Sequence, residues 1–179
     1  MDVLKRRFFK KSAGMVSACL LLRPMISLAQ SSYYLSSQLI NLYLIHHSPF
    51  TKNFLFFNVQ CSNPVLDFVK KGQRLLLNCN IEISIPNQKP VKGELALDSS
   101  FQYDAKTYQI ALLDPKLSSI HLDVLNEKDN LLLKQLSPFL GPMFNQQVVY
   151  ELTSSDLKML KKPPSSILIE DGGLRFKFD

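Results

Sequence analysis

One stretch of the sequence decides the fold, residues 75–85, which reads Leu75-Leu76-Leu77-Asn78-Cys79-Asn80-Ile81-Glu82-Ile83-Ser84-Ile85. Every odd-numbered position in it is apolar, whereas the even-numbered positions from 78 to 84 are polar. Successive side chains of a strand point to opposite faces of its sheet, so this alternation predicts one dry face and one wet face. Such two-faced strands are typical of antiparallel sheets, because parallel sheets are usually covered on both sides.

The segments on either side repeat the period of two. On the dry face we place Leu55, Phe57, Val59 and Cys61 before the central strand, and Val91, Gly93, Leu95 and Leu97 after it. Two further strands are predicted at 107–113 and 117–125, on either side of Asp114-Pro115. Turns at 70–73, 87–90 and 104–106 are short, and short turns indicate that consecutive strands are neighbours in a meander.

Helical periodicity flanks the predicted meander. Ser36 or Ser37 is expected to cap a short N-terminal helix. From 127 to about 147 a longer amphipathic helix is predicted, kinked at Pro138 and at Gly141-Pro142. Its apolar stripe consists of Leu132, Leu136, Phe139, Leu140, Met143 and Phe144. A short capped helix and a hairpin turning at 171–173 complete the chain.

These elements predict an α+β fold, a curved antiparallel β-meander packed around one long kinked amphipathic helix, with a short N-terminal helix and closing C-terminal strands. One helix is about 10 Å wide, so it covers about five strands only if the sheet curls tightly. No repeat or linker divides residues 30–179, which are therefore expected to form a single domain.

Residues 1–29 have the layout of a signal peptide. A basic segment at 5–11 precedes an apolar stretch at 13–22, which is too short to span a bilayer, since that takes about 20 residues. Ser27 and Ala29 place small residues at the −3 and −1 positions of a cleavage after Ala29. We expect export to the periplasm, with an uncleaved membrane anchor as the alternative interpretation of the segment.

The export route and the mature N-terminus each have an alternative. Arg6 and Arg7, followed by Phe9 and Lys11, resemble the twin-arginine export motif, and the general secretory route is the alternative. The stretch that ends at Cys19 resembles a lipobox, in which Cys19 would be lipidated and would become the first mature residue. In that case the domain would be a membrane-anchored lipoprotein facing the periplasm.

The net charge of +6 belongs almost entirely to the signal segment. Six of the 21 basic residues and one of the 15 acidic residues lie in residues 1–29, which leaves 15 basic and 14 acidic residues in the domain. A domain with a net charge of +1 has no basic excess to attract phosphates, so we expect no nucleic-acid partner.

Cys61 and Cys79 are the two cysteines of the predicted domain, and two residues of this kind can pair in an oxidising compartment. A hairpin turning at 71–72 would place Cys79 opposite Pro64, about 10 Å along the strand from Cys61. That offset exceeds the disulfide reach of about 7 Å between Cα atoms, which favours two buried thiols. A bulge near Pro64 would bring the cysteines closer and allow the disulfide.

The residues supply no recognisable catalytic arrangement. Nucleophile-elbow and phosphate-loop motifs are absent from the sequence. His46 and His47 are adjacent, so on a helix they point about 100° apart and cannot chelate one metal ion as an i,i+4 pair would. His121 is expected on the wet face as a surface neighbour of Asp123. We therefore expect no enzyme activity, no metal and no cofactor.

The C-terminal half carries a family resemblance. Residues 133–140, Leu-Lys-Gln-Leu-Ser-Pro-Phe-Leu, followed by Phe-Asn-Gln-Gln at 144–147 and Val-Tyr-Glu-Leu at 149–152, resemble patterns of the YceB-like family of bacterial envelope lipoproteins. The capped segment at 34–40 and the closing strand up to Phe178 are similar in position. The sequence departs from the family at Cys19, which lies far from the first helix, and this departure bears on membrane anchoring.

The resemblance implies a relationship to the tubular lipid-binding (TULIP) proteins, which hold a lipid in an apolar groove between a curved sheet and a long helix. It implies no catalytic residues. We expect a non-catalytic envelope protein that binds a lipid or another apolar ligand between sheet and long helix. The alternative is a structural or protein-interaction module without a small ligand. Phe54 and Phe56 are most simply core and edge packing, or else an exposed apolar patch that could touch a membrane.

Overall fold

A computed structural model of the chain describes residues 32–123, 127–160 and 162–178. The described chain is mostly β, with a curled antiparallel sheet and three short helices. Its elements are, in order, β1 (Ser32–Ser36), α1 (Ser37–His46), β2 (Phe50–Phe54), β3 (Phe57–Val69), β4 (Arg74–Ser84), β5 (Val91–Asp104), β6 (Gln109–Leu122), α2 (Glu127–Met143), β7 (Val148–Glu151), α3 (Ser154–Leu160), β8 (Ser166–Glu170) and β9 (Gly173–Lys177).

The predicted antiparallel meander is confirmed. Six strands pair in the order β2-β3-β4-β5-β6-β7 and curl into a half-barrel. In β4, Leu77 lies opposite Leu66 of β3 and Leu97 of β5. The dry face is buried as the alternation indicates, with Leu75, Leu77, Cys79, Ile81 and Ile83 each 5% exposed or less.

Four register shifts interrupt the ladders of the half-barrel, and two of them are bulges at a residue followed by proline. The first, at Asn63-Pro64 in β3, and the second, at Asp114-Pro115 in β6, each begin with a residue at positive φ. The predicted strands on either side of Asp114 are in fact one continuous strand, because the bulge absorbs Pro115 without ending the pairing. The buried hydroxyl of Ser99 supports this point by donating to the Leu113 carbonyl oxygen at 3.0 Å.

A second sheet has the order β1-β9-β8. The closing hairpin is confirmed, and β1, which the sequence indicates only as an extended lead-in, pairs with β9 along its whole length. The Gln73 side chain joins the two sheets, accepting from the Ile169 backbone N–H at 2.6 Å and donating to the Ile169 carbonyl at 2.9 Å. The side-chain amide of Gln73 thereby makes the two hydrogen bonds that the backbone of a neighbouring strand would make with β8.

Helix α1 packs against β3 and β7. Ser36 caps it as predicted, accepting from the Leu39 backbone N–H at 3.4 Å, and Ile40 and Leu44 are buried. Its Asn41 side chain makes reciprocal hydrogen bonds of 2.7 and 3.1 Å to the backbone of Leu66 in β3. These bonds satisfy Leu66 beyond the point where β2 has stopped pairing with β3.

The described residues show three short helices, and they do not confirm one long kinked helix. Helix α2 contains Pro138 and Pro142 but ends at Met143, four residues before the predicted end. Gln146 adopts positive φ, and its backbone N–H donates to the Leu112 carbonyl oxygen of β6 at 3.0 Å. The chain leaves the helix here because the edge of β6 offers the hydrogen bonds that start β7.

The favoured prediction of two cysteines too far apart to pair is wrong, and the alternative of a bulge near Pro64 is what the structure shows. The structure joins Cys61 and Cys79 in a disulfide, with 5.9 Å between their Cα atoms, well below the expected 10 Å offset. The cause is the bulge at Asn63-Pro64, which shifts the register so that Cys61 pairs with Ile81. Cys79 therefore lies on the diagonal to Cys61, within disulfide reach.

Candidate apolar binding site

The two ends of the half-barrel are built differently. We call the end that contains the turns at 70–73 and 105–108 the closed end, because α3 and the three-stranded sheet cover it. The opposite end, which we call the open end, contains the β2–β3 turn at 55–56 and the β4–β5 connection at 85–90. Helix α2 lies on this side of the curl.

A buried carboxylate organises the closed end. Asp156 of α3 is only 7% exposed and accepts from the hydroxyls of Tyr33 at 2.5 Å and Tyr150 at 3.0 Å. Thr153 donates to it twice, from its backbone N–H and from its hydroxyl, each at 2.7 Å. The Asp156 N–H donates back to the Thr153 hydroxyl at 3.2 Å, which completes a capping box on α3.

These bonds shift the acid–base properties of the cluster. Burial by itself would raise the pKa of Asp156, but the hydrogen bonds from Tyr33, Thr153 and Tyr150 outweigh burial and lower it. Burial and the neighbouring carboxylate raise the pKa of both tyrosines. Because Tyr33 belongs to β1 and Tyr150 to β7, the carboxylate connects both sheets to α3. The cluster of Asp156, Tyr33, Tyr150 and Thr153 therefore holds the two sheets and α3 together, and we call it the structural lock.

Helix α2 crosses the dry face of the half-barrel near its open end, a place that we call the mouth of the curl. Phe139 packs on Phe54 of β2 with 5.3 Å between ring centroids, and Gly141 lies so close to the Pro115 carbonyl of β6 that a side chain there would collide with it. Strands β2 and β6 are separated by three other strands in the sheet order. The helix therefore reaches across the dry face from one strand to the other.

The residues of the predicted apolar stripe have different environments. Leu136, Leu140 and Phe144 are 7%, 0% and 0% exposed and belong to the core, and Met143 is partly buried against it. Phe139 remains 44% exposed. The side chain of Leu132 lies outside the described part of the structure.

The open end carries exposed apolar side chains. Phe54, Leu55 and Phe56 are 42%, 85% and 75% exposed. The exposure of Phe56 contradicts the simplest prediction of core and edge packing, whereas Phe54 packs on Phe57 and Phe139 from the edge strand β2. Leu55, expected on the dry face with Phe57, lies in the turn, whereas Phe57 is buried as predicted. Residues 53–58 and 84–86 line a cleft of about 300 Å³.

The histidines lie at the surface as predicted. His47 stacks on Tyr43 with 3.9 Å between centroids, and its ring Nδ1 is 2.8 Å from the Tyr43 carbonyl oxygen. His121 is exposed on β6 opposite Glu94. Among the described residues, no group of three or more His, Cys, Asp or Glu side chains is arranged to hold a metal ion.

Several predictions lie outside the described residues. They include the signal peptide with Arg6 and Arg7, the cleavage after Ala29 and the lipidation of Cys19. In the part of the chain that the structure does describe, no helix is both long and apolar enough to cross a membrane.

Sequence reasoning missed the side chains that join the elements, namely Asn41, Gln73 and Asp156. The Asp156 cap had a detectable signal, since Thr153 and Asp156 have the spacing of a capping box. Asn41 and Gln73 had none, because each bonds the backbone of a residue at least 25 positions away.

Fold and site together define a class, a mostly β domain with a curled antiparallel sheet, three short helices and apolar side chains exposed at the open end. The chain belongs to the family described as protein of unknown function DUF1439, whose profile matches residues 35–173. No curated protein matches the chain.

Proposed function

We propose that this domain is a non-catalytic binding protein of the cell envelope, which holds a lipid or another apolar ligand at the open end between α2 and the dry face. The observation that carries the proposal is the exposure of Phe139 and Phe54, which pack on each other across the mouth of the curl. Leu136 and Leu140 of α2 would form the floor beside them.

The contrast between the two ends supports this location. At the closed end the second sheet packs on the half-barrel, with Tyr103 of β5 in contact with Phe176 of β9, and the Asp156 carboxylate accepts four hydrogen bonds. At the open end, Ile85 and Val91 continue the dry face but are only partly buried. An acyl chain laid along these side chains would gain about 0.8 kcal/mol for each CH₂ removed from water, without any further polar chemistry.

The family and the location in the cell are part of the same proposal. We propose that the domain is YceB-like and related to the tubular lipid-binding proteins, as the patterns at 133–140 and 144–152 suggest. Twin-arginine export through Arg6 and Arg7 with cleavage after Ala29 would deliver it to the periplasm. Lipidation at Cys19 is the alternative that would tether it to the membrane.

A second candidate is an interaction module of the envelope. It is favoured by the outward face of α1, where Leu39, Leu42 and Ile45 are 48%, 63% and 56% exposed at helical spacing. The exposed tip at Leu55 and Phe56 would also suit contact with a partner or a membrane surface. This candidate predicts that a protein, and no lipid, accompanies the domain through purification.

Native mass spectrometry of the protein purified from the periplasm of its own host, followed by organic extraction, separates the two candidates. We expect a stoichiometric apolar adduct on the wild type and its loss in Phe139→Asp. The matched control is Val65→Asp, because Val65 is exposed to a similar extent, 46%, on β3 away from α2. A bare mass that takes up no lipid on incubation would remove the lipid-binding proposal.

A further inference from the structure

Lys52 lies on the dry face of the sheet, where its neighbours are apolar. Residues directly opposite each other in an antiparallel pair share a face, and Lys52 is paired with Val59, which is 0% exposed on the dry face. Its neighbours on that face of β2 are Phe50 and Phe54, which are paired with the buried Cys61 and Phe57. A lysine thus interrupts an apolar row where the pattern of the strand calls for a hydrophobic residue.

The surroundings of Lys52 are apolar and lie under α2. Phe50 packs edge-to-face on Phe144 at 6.0 Å, and Phe54 packs on Phe139 at 5.3 Å, so the lysine lies between two aromatic pairs formed with α2 and its C-terminal turn. Lys52 is partly buried, and burial lowers its pKa. A cation in such a place costs free energy unless an anion compensates it.

The described residues supply no anion for it. Asp and Glu are absent from 50–58 and 84–91, which contain the β2–β3 turn and the β4–β5 connection of the open end. The salt bridges between described residues involve Lys70, Arg74, Lys92 and Arg175, and none of them reaches Lys52. No hydrogen bond joins its ammonium group to another described side chain either.

We propose that Lys52 binds the anionic head group, a carboxylate or a phosphate, of an amphiphile whose hydrocarbon chain lies along the dry face beneath α2. The inference deepens the proposed function and rests on it, because it narrows the ligand from any apolar molecule to an anionic lipid. The ammonium group would replace the hydration of the head group with a charge-assisted hydrogen bond, while the aromatic pairs hold the first carbons of the chain.

Two ligands of equal chain length test the role of the charge. Displacement of the neutral reporter N-phenyl-1-naphthylamine from the exported domain is measured with dodecanoate and with 1-dodecanol. We expect the wild type to prefer dodecanoate, and Lys52→Gln to bind dodecanoate roughly tenfold more weakly while 1-dodecanol is unaffected. Lys52→Arg, which keeps the charge, should retain the preference, and Lys158→Gln on the exposed side of α3 serves as the control.

The outcomes separate the inference from the function on which it rests. If neither ligand displaces the reporter from the wild type, the proposed function fails. If both ligands bind equally and Lys52→Gln changes neither affinity, the function stands and the role of Lys52 is overturned. Dodecyl phosphate and inorganic phosphate are compared in the same way. If inorganic phosphate binds as tightly as dodecyl phosphate, the hydrocarbon chain contributes nothing, and this result would also contradict an amphiphile site.

Discussion

The closed end and the open end of the half-barrel are completed by different kinds of contact. At the closed end, polar side chains complete the structure, with Asp156 bonding two tyrosines and Gln73 standing in for a strand. At the open end, α2 crosses the curl and leaves Phe54 and Phe139 partly exposed. The difference teaches that one sheet can be completed by hydrogen bonds at one end and by a crossing helix at the other, and the proposed function assigns ligand binding to the second of these ends.

Asp156→Ala should produce the largest loss of stability. The substitution leaves the hydroxyls of Tyr33 and Tyr150 without their acceptor and removes the α3 cap, at a cost of about 4 kcal/mol in the free energy of unfolding. Urea denaturation followed by circular dichroism measures the change. Asp171→Ala is the control, because its ion pair with Lys70 is exposed and should contribute about 0.5 kcal/mol or less. Equal effects at the two positions would contradict the structural lock.

The disulfide lies between the two ends, so its removal should weaken both. Cys61 and Cys79 are 18 residues apart in the sequence, and loop closure of this length contributes about 3 kcal/mol. We expect dithiothreitol to lower the free energy of unfolding by that amount, and thiol titration of the exported, unreduced protein to find neither cysteine free. Detection of two reactive thiols after unfolding without reductant would show that the bond does not form.

Acid should act on the closed end first. Because the pKa of Asp156 is lower in the folded protein than its usual 3.8, the unfolded chain takes up the proton more readily. The carboxylate therefore stabilises the fold above about pH 4, and this contribution is lost as the pH falls through the lowered pKa. Equilibrium unfolding between pH 2 and 6 should show a weaker dependence for Asp156→Asn than for the wild type. Identical slopes would mean that Asp156 is not the responsible group.

The smallest effect on stability is expected at the open end. Phe139→Ser removes a half-exposed side chain and one aromatic contact, so the loss should be about 1 kcal/mol. Leu140→Ala, one residue along the same helix, removes a fully buried side chain and should cost about 3 kcal/mol. Thermal denaturation compares the two. A greater loss for Phe139→Ser would show that this residue serves the core and would weaken its assignment to a ligand.

The regular part of the fold was predictable, since side-chain alternation in β4 and β5 predicts the meander and its buried face. The bulge at Asn63-Pro64, which moved the cysteines into bonding distance, could be named only as an alternative, because a register shift depends on how strands pair in three dimensions. The end of α2 depended on the edge of β6, which no local pattern reveals.

The candidate site was predictable in part. The apolar stripe on α2 was recognised, but its periodicity does not distinguish Leu140, which fills the core, from Phe139, which faces the mouth. Lys52 escaped notice because β2 is too short to show an alternation by itself. Its place on the dry face can be recognised only from the register with β3, where its partner is a buried valine.

Hydrogen–deuterium exchange of the exported domain, with and without saturating dodecanoate, tests most directly whether the open end receives a ligand. We expect added protection in the peptides that cover 50–58 and 84–91 and in the C-terminal half of α2, with no change in 148–160 or 166–177. Protection that is confined to the closed end, or a lack of any change at saturation, would contradict a division of the molecule into a securing end and a binding end.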